Sequence, residues 1–140
     1  MDGSDRARDL ARARLLTAVL TAGPLLLLGA VSLLPSPGTT DVLVLPAGLF
    51  GLVAPAIAWR LQARILERAR GSASERRRTY VRSLLVALAV TEGAAMLAVL
   101  AWHLSREAVA LLALPMHLVL AFALWPSEER LARAEEEASR

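Results

Sequence analysis

Cysteine is absent from this chain, which excludes disulfides, thiolate metal sites and cysteine nucleophiles. Lysine is absent as well, so all 16 basic residues are arginines. Aromatic residues make up only 4%, and there are two histidines. Charge is scarce in a different sense. Charged residues make up 21% of the chain, yet they nearly vanish from four long stretches. Between those stretches the arginines are dense. The chain is 56% hydrophobic, and its apolar residues come in blocks rather than stripes, which points to lipid as the solvent. A net charge of +3 could suggest nucleic acid, but the arginines flank apolar runs, so a bilayer is the expected partner and nucleic acid is not.

The four stretches predict an all-α fold, a four-helix transmembrane bundle in one domain, with spans at about 15–34, 42–59, 83–102 and 108–125. Before the first span, residues from Asp5 to Arg14 predict a short helix lying at the membrane surface, with Arg6, Arg8, Arg12 and Arg14 near lipid phosphates. A cleaved signal peptide is the rival reading of this region, although the run is long for one and no small-x-small site follows it. Pro24 lies inside the first span and predicts a kink. Pro35-Ser36-Pro37-Gly38 ends that span. The second span carries a small-residue face of Gly48, Gly51, Ala54 and Ala58, suited to close helix packing.

The connection 60–82 holds eight arginines, among them Arg60, Arg64, Arg76, Arg77 and Arg78, which are expected to contact anionic phospholipid headgroups or a partner. Ser72 and Glu75 form a capping-box pattern that would restart a helix there. Ser105 and Ser127 are candidate caps for the two helices that follow. The segment 126–140 is polar, and Leu131 alone offers little apolar surface, so a solvated tail is expected. Of the 16 arginines, only Arg106 falls in the two short inter-span loops. With four spans, the other arginines share one side, which predicts cytoplasmic termini and a multi-pass protein of the bacterial inner membrane. Trp59, Tyr80, Trp102 and Trp125 sit at span ends, where interface anchors belong.

The third span, SLLVALAVTEGAAMLAVLAW, has one carboxylate near its middle. Glu92 lies 12 residues beyond Tyr80, roughly 18 Å of helix rise. Placing an acid at that depth costs about 2.5–3.5 kcal/mol on insertion scales. A carboxyl in such a setting can carry a proton or exchange it for a cation. Reflection through the turn near residue 105 places His117 at a similar depth on the next helix. Pro115 frees the carbonyl of Leu111. Glu92, Thr91 and His117 are therefore the candidate ion-binding residues, with Glu92 and His117 titrating as a coupled pair if they touch. Thr17 and Thr21 could add hydroxyls.

The bland readings compete. Glu92 could join helices by one hydrogen bond. His117 could be a packed histidine bonded to a backbone carbonyl, and His103 a wet interfacial residue. Ser83, Ser105 and Ser127 have no His–Asp pair near them, so serine catalysis is not expected. Ala87, Ala94, Ala98 and Ala101 read as packing surface. No metal-ligand spacing or cofactor motif is present, and no enzyme activity is expected.

Arg60-Leu61-Gln62, at the start of a polar loop, and Ala89-Val90-Thr91-Glu92-Gly93-Ala94-Ala95, around a mid-span carboxylate, resemble the hairpin of the rotary ATP synthase c-subunit, the proteolipid. The resemblance covers roughly a third of the chain, 53–100, and implies that Glu92 carries the ion in a homo-oligomeric ring. The chain differs in its longer, more basic loop, its four spans and a carboxylate on the third of them. As a whole it also resembles small four-span bacterial membrane proteins carrying such a glutamate. Two functions follow as expectations. The first is binding or translocation of protons or a monovalent cation by an oligomer. The second is a non-catalytic accessory or scaffolding subunit, with small-residue faces packing a partner within a larger membrane complex.

Overall fold

The computed structural model describes residues 3–36, 41–68 and 72–136. Five α-helices follow in order: α1 (Gly3–Ser32), α2 (Val44–Glu67), α3 (Ala73–Ser105), α4 (Ala113–Ala123) and α5 (Glu128–Glu136). Short 3-10 turns precede α2 and α4, at Asp41–Leu43 and Ala108–Leu112. No strand occurs among the described residues. Helices α1, α2 and α3 are each long and apolar enough to cross a membrane. The stretch Ala108–Ala123 together with Glu128–Ala134, bent by 72°, makes a fourth if the pair is one broken span.

Helix α3 is the hub. Half of its apolar window is buried, against 17% of the corresponding window of α1. Along α3 the contacts fall in layers. Leu84, Ala87 and Leu88 pack with Ala58 of α2 and Ala121 of α4. Ala94 and Ala98 pack with Ala54 and Ala113. Ala101 packs with Ala47 and Ala110. Rising numbers on α3 meet falling numbers on α2 and α4, so both run antiparallel to it. Leu10 meets Tyr80, and Gly23 meets Glu92, so α1 runs parallel to α3. Alanine dominates these layers because a methyl side chain lets helix backbones approach closely, and van der Waals contact is the main attraction between helices in lipid. Gly51 is the tightest case: a Cβ there would lie 2.5 Å from the Cβ of Ala113. The outer surface is correspondingly apolar, with Leu26, Val19, Leu45, Val119 and Phe122 all exposed.

Several expectations are corrected by the packing. The residues before the first span form no separate surface helix; α1 is continuous from Gly3 through Pro24 to Ser32. The helical part of the fourth stretch begins late, at Ala113, so Pro115 sits in the first turn of α4, where a missing N–H costs least. Ser105 ends α3 rather than capping the next helix: it donates to the Ala101 carbonyl, and its oxygen accepts from the Glu107 N–H.

Tyr80 is buried, because it packs between Leu10 and Leu131. The tail is docked for the same reason. Leu131 is fully buried, and its apolar partners lie far away in sequence, on α1 and α3. Ser127 accepts from the Arg130 N–H to start α5. Arg14 donates to the Pro126 carbonyl at 3.2 Å and Arg6 to that of Glu128 at 3.2 Å, which ties both terminal segments to one end of the bundle. The start of α3 belongs to that end too, through an Arg77–Asp9 ion pair of 2.9 Å. Its N-terminus carries the expected capping box, Ser72 accepting from the Glu75 N–H while the Glu75 carboxylate accepts from that of Ser72. The opposite end holds the end of α1 and the passage from α3 to the 3-10 turn before α4. There Ser36 donates to the His103 carbonyl, and Arg106, in the left-handed region at φ 61°, lies over the Trp102 ring at 4.8 Å.

Candidate functional site: two polar positions at mid-bundle

Thr91 and Glu92 are consecutive, so their side chains leave α3 about 100° apart. They reach different neighbours. Thr91 is buried and its hydroxyl meets Nδ1 of His117 at 2.9 Å. His117 is fully buried, and its Nε2 lies 3.3 Å from the carbonyl oxygen of Leu20 on α1. That carbonyl is available because Pro24, four residues on, has no N–H to give it. A carbonyl only accepts, so Nε2 carries the hydrogen. In the neutral ring Nδ1 is then an acceptor facing the Thr91 hydroxyl, whose one proton is shared between it and the Leu88 carbonyl at 3.1 Å. A proline-freed carbonyl in the first span, a histidine in the fourth helix and a threonine in the third thus satisfy one another. The Leu111 carbonyl freed by Pro115 was expected to share a polar pocket with Glu92, Thr91 and His117, and His117 was alternatively read as a packed histidine bonded to a backbone carbonyl. The carbonyl that His117 meets is that of Leu20, because α1 closes over this face of α3 and α4.

Glu92 lies on the adjacent face, half-buried, against Gly23. A Cβ on Gly23 would lie 2.6 Å from Glu92 Oε1 and 3.0 Å from the Met96 Cε, so the glycine is what leaves room for the carboxylate. Glu92 has no hydrogen-bond or ion-pair partner among the described residues. The expected Glu92–His117 contact is not formed: the structure joins His117 to Thr91 and Leu20, and leaves Glu92 apart from them. Both nevertheless abut the same short stretch of α1, from Leu20 to Gly23.

The remaining candidates divide. Thr21 donates to the Thr17 carbonyl at 2.7 Å and so is occupied locally. The Thr17 hydroxyl is buried without a partner. His103 is half-buried, and its Nδ1 is enclosed without a partner. Arg60, Arg64 and Arg78 are exposed and Arg76 is half-buried. Arg77 is corrected as a headgroup contact: it is 5% exposed and its guanidinium holds Asp9. Among the described residues no three of His, Cys, Asp and Glu cluster closely enough to hold a metal ion. Sequence reasoning missed Leu20 and Gly23. The signal for Leu20 was present in Pro24, whose freed carbonyl needs a donor somewhere in the bundle. Nothing local marked Gly23.

No known protein family matches the chain, and no similar protein was found among curated sequences or solved structures.

Proposed function

We propose that this is a multi-pass protein of the bacterial inner membrane with four spans and both termini in the cytoplasm, in which Glu92 binds and exchanges protons or a monovalent cation within a homo-oligomer. The observation that carries the reading is the Glu92 carboxylate, seated in the Gly23 notch without a partner. A glutamate serving as helix glue needs a hydrogen-bond partner on its neighbour. This one has none, while the polar residues beside it on α3 and α4 satisfy each other completely. Both carboxylate oxygens are therefore free for an exchangeable ligand, at a depth where an acid has no cheap structural role.

The topology is supported by the end of the bundle where Arg6, Arg14, Arg77 and Arg130 gather, which is the end the positive-inside rule assigns to the cytoplasm. The interior between α2, α3 and α4 is lined by alanine and leucine, so an ion reaching Glu92 travels along the α1–α3 face rather than through the core. A second copy of the chain covering that face would enclose the path. The accessory-subunit reading draws less support, since Gly51, Ala54 and Ala58 of the small-residue face are buried within the bundle and only Gly48 remains open.

The deciding experiment is carbodiimide labelling of native membranes across pH, with and without sodium. Reaction at Glu92 that varies with pH or is blocked by sodium, and that is lost in Glu92→Gln, is the expected result. Absence of labelling at every pH, with Glu92→Gln normal in folding and assembly, overturns the exchange site.

A further inference from the structure

At the arginine-rich end a groove of about 470 Å³ opens between the C-terminal half of α2 and the corner where α4 turns into α5. One part of its wall is apolar: Trp59 and Leu66 from α2, Leu120 and Leu124 from the α4 side. The other part is polar, formed by Gln62 of α2 and by Arg130 and Arg133 of α5. Among the described residues no carboxylate lines it. Gln62 is 8% exposed, its amide has no hydrogen-bond partner among the described residues, and it lines the groove, so its donor and acceptor are open to a ligand there. Arg130 is held in place by the Ala123 carbonyl and lies beside Tyr80, while Arg133, one turn further along α5, is exposed at the rim.

We infer that this groove binds one anionic phospholipid. Its phosphate would sit between Arg130 and Arg133, its glycerol or ester oxygens against Gln62, and its acyl chains along Trp59, Leu120 and Leu124. The direction of the groove favours this occupant. Trp59, Leu120 and Leu124 lie toward the spans and Arg130 and Arg133 toward the end where α1 begins and α5 packs, with Leu66 one turn beyond Gln62 flanking that basic side, so one molecule with an anionic head and apolar tails matches both. A free phosphate would leave the apolar wall uncovered, and a zwitterionic lipid would add a second charge of the wrong sign beside two guanidiniums. The inference rests on the membrane reading but not on ion exchange at Glu92, which lies in the middle of the bundle.

Native mass spectrometry of the full chain, released from detergent with phosphatidylglycerol, phosphatidylcholine or glycerol phosphate, tests it. Phosphatidylglycerol is expected to be retained preferentially, and Arg133→Gln to lower that retention about fivefold. Gln62→Leu should also weaken it, which keeps the test open if α5 shifts in the arginine variant. Arg106→Gln, the same charge change at the opposite end, should leave retention unaltered. Equal retention of the two phospholipids, equal loss in Arg106→Gln and Arg133→Gln, or binding of glycerol phosphate as strong as that of the lipid would each overturn the inference.

Discussion

Thr91 and Glu92 are neighbours in the same helix, at the same depth, and the fold treats them in opposite ways. Thr91 is one link in a closed set: its hydroxyl meets His117, which meets the carbonyl that Pro24 freed on α1. Glu92 is placed beside a glycine and left open. A buried polar group that is fully partnered holds helices together, while one without a partner is a cost the fold carries for some other reason. The two therefore differ in what their removal should do. The Thr91–His117 set should report on stability, and Glu92 on ligand exchange.

The largest effect should come from breaking the closed set at its centre. His117→Leu removes both hydrogen bonds and leaves the Leu20 carbonyl buried without a donor, which should destabilise the bundle by about 2–3 kcal/mol in reversible unfolding from mixed micelles. A loss below about 0.5 kcal/mol would erase the distinction drawn between the two positions.

The two tight glycines sharpen it next. At Gly51 a new methyl meets the Cβ and backbone of Ala113, whereas at Gly23 it meets the free end of a carboxylate. Gly51→Ala should cost about 1–2 kcal/mol, as overpacking between fixed backbones does. Gly23→Ala should leave stability nearly unchanged and instead displace Glu92, altering its carbodiimide reactivity. Equal losses of stability at the two sites would mean that Glu92 is held as firmly as Ala113.

A compensation follows from the role of Pro24. Introducing Pro24→Ala into the His117→Leu protein returns an N–H to the Leu20 carbonyl, and should recover about 1 kcal/mol of what was lost. The same substitution in the parent should bring no such gain, because His117 already serves that carbonyl. Equal gains in both backgrounds would show that the histidine and the proline are independent.

The smallest effect on stability is expected at the carboxylate itself. Glu92→Gln should lie within about 0.5 kcal/mol of the parent, since no partner is lost. A marked destabilisation there would reveal a structural bond and remove the basis for the exchange site.

Much of this arrangement was readable from residue order. Uninterrupted apolar runs marked α1, α2 and α3, because backbone polar groups in lipid must be satisfied within a helix. Ser72 and Glu75 marked the start of α3 through a contact three residues long. The depths of Glu92 and His117 followed from counting residues along helices of fixed rise. What escaped was everything that depends on how a helix is rotated or on what returns from far along the chain. Leu131 looked too isolated to dock until Leu10 and Tyr80 came to meet it. Arg77 looked like any other arginine of its run until Asp9 was placed opposite.

The sequence by itself therefore determined the apolar helices, their order, the concentration of arginine toward one end and the presence of one acid at mid-depth. Each of these depends only on composition within a segment or on distance along it. Only the tertiary structure decided that His117 answers Pro24 through Leu20, that Thr91 completes that set, and that Glu92 faces Gly23 with nothing to bond. Adjacent side chains diverge by a quarter turn of the helix, and which of them meets a partner is settled by how neighbouring helices pack, information no single segment contains.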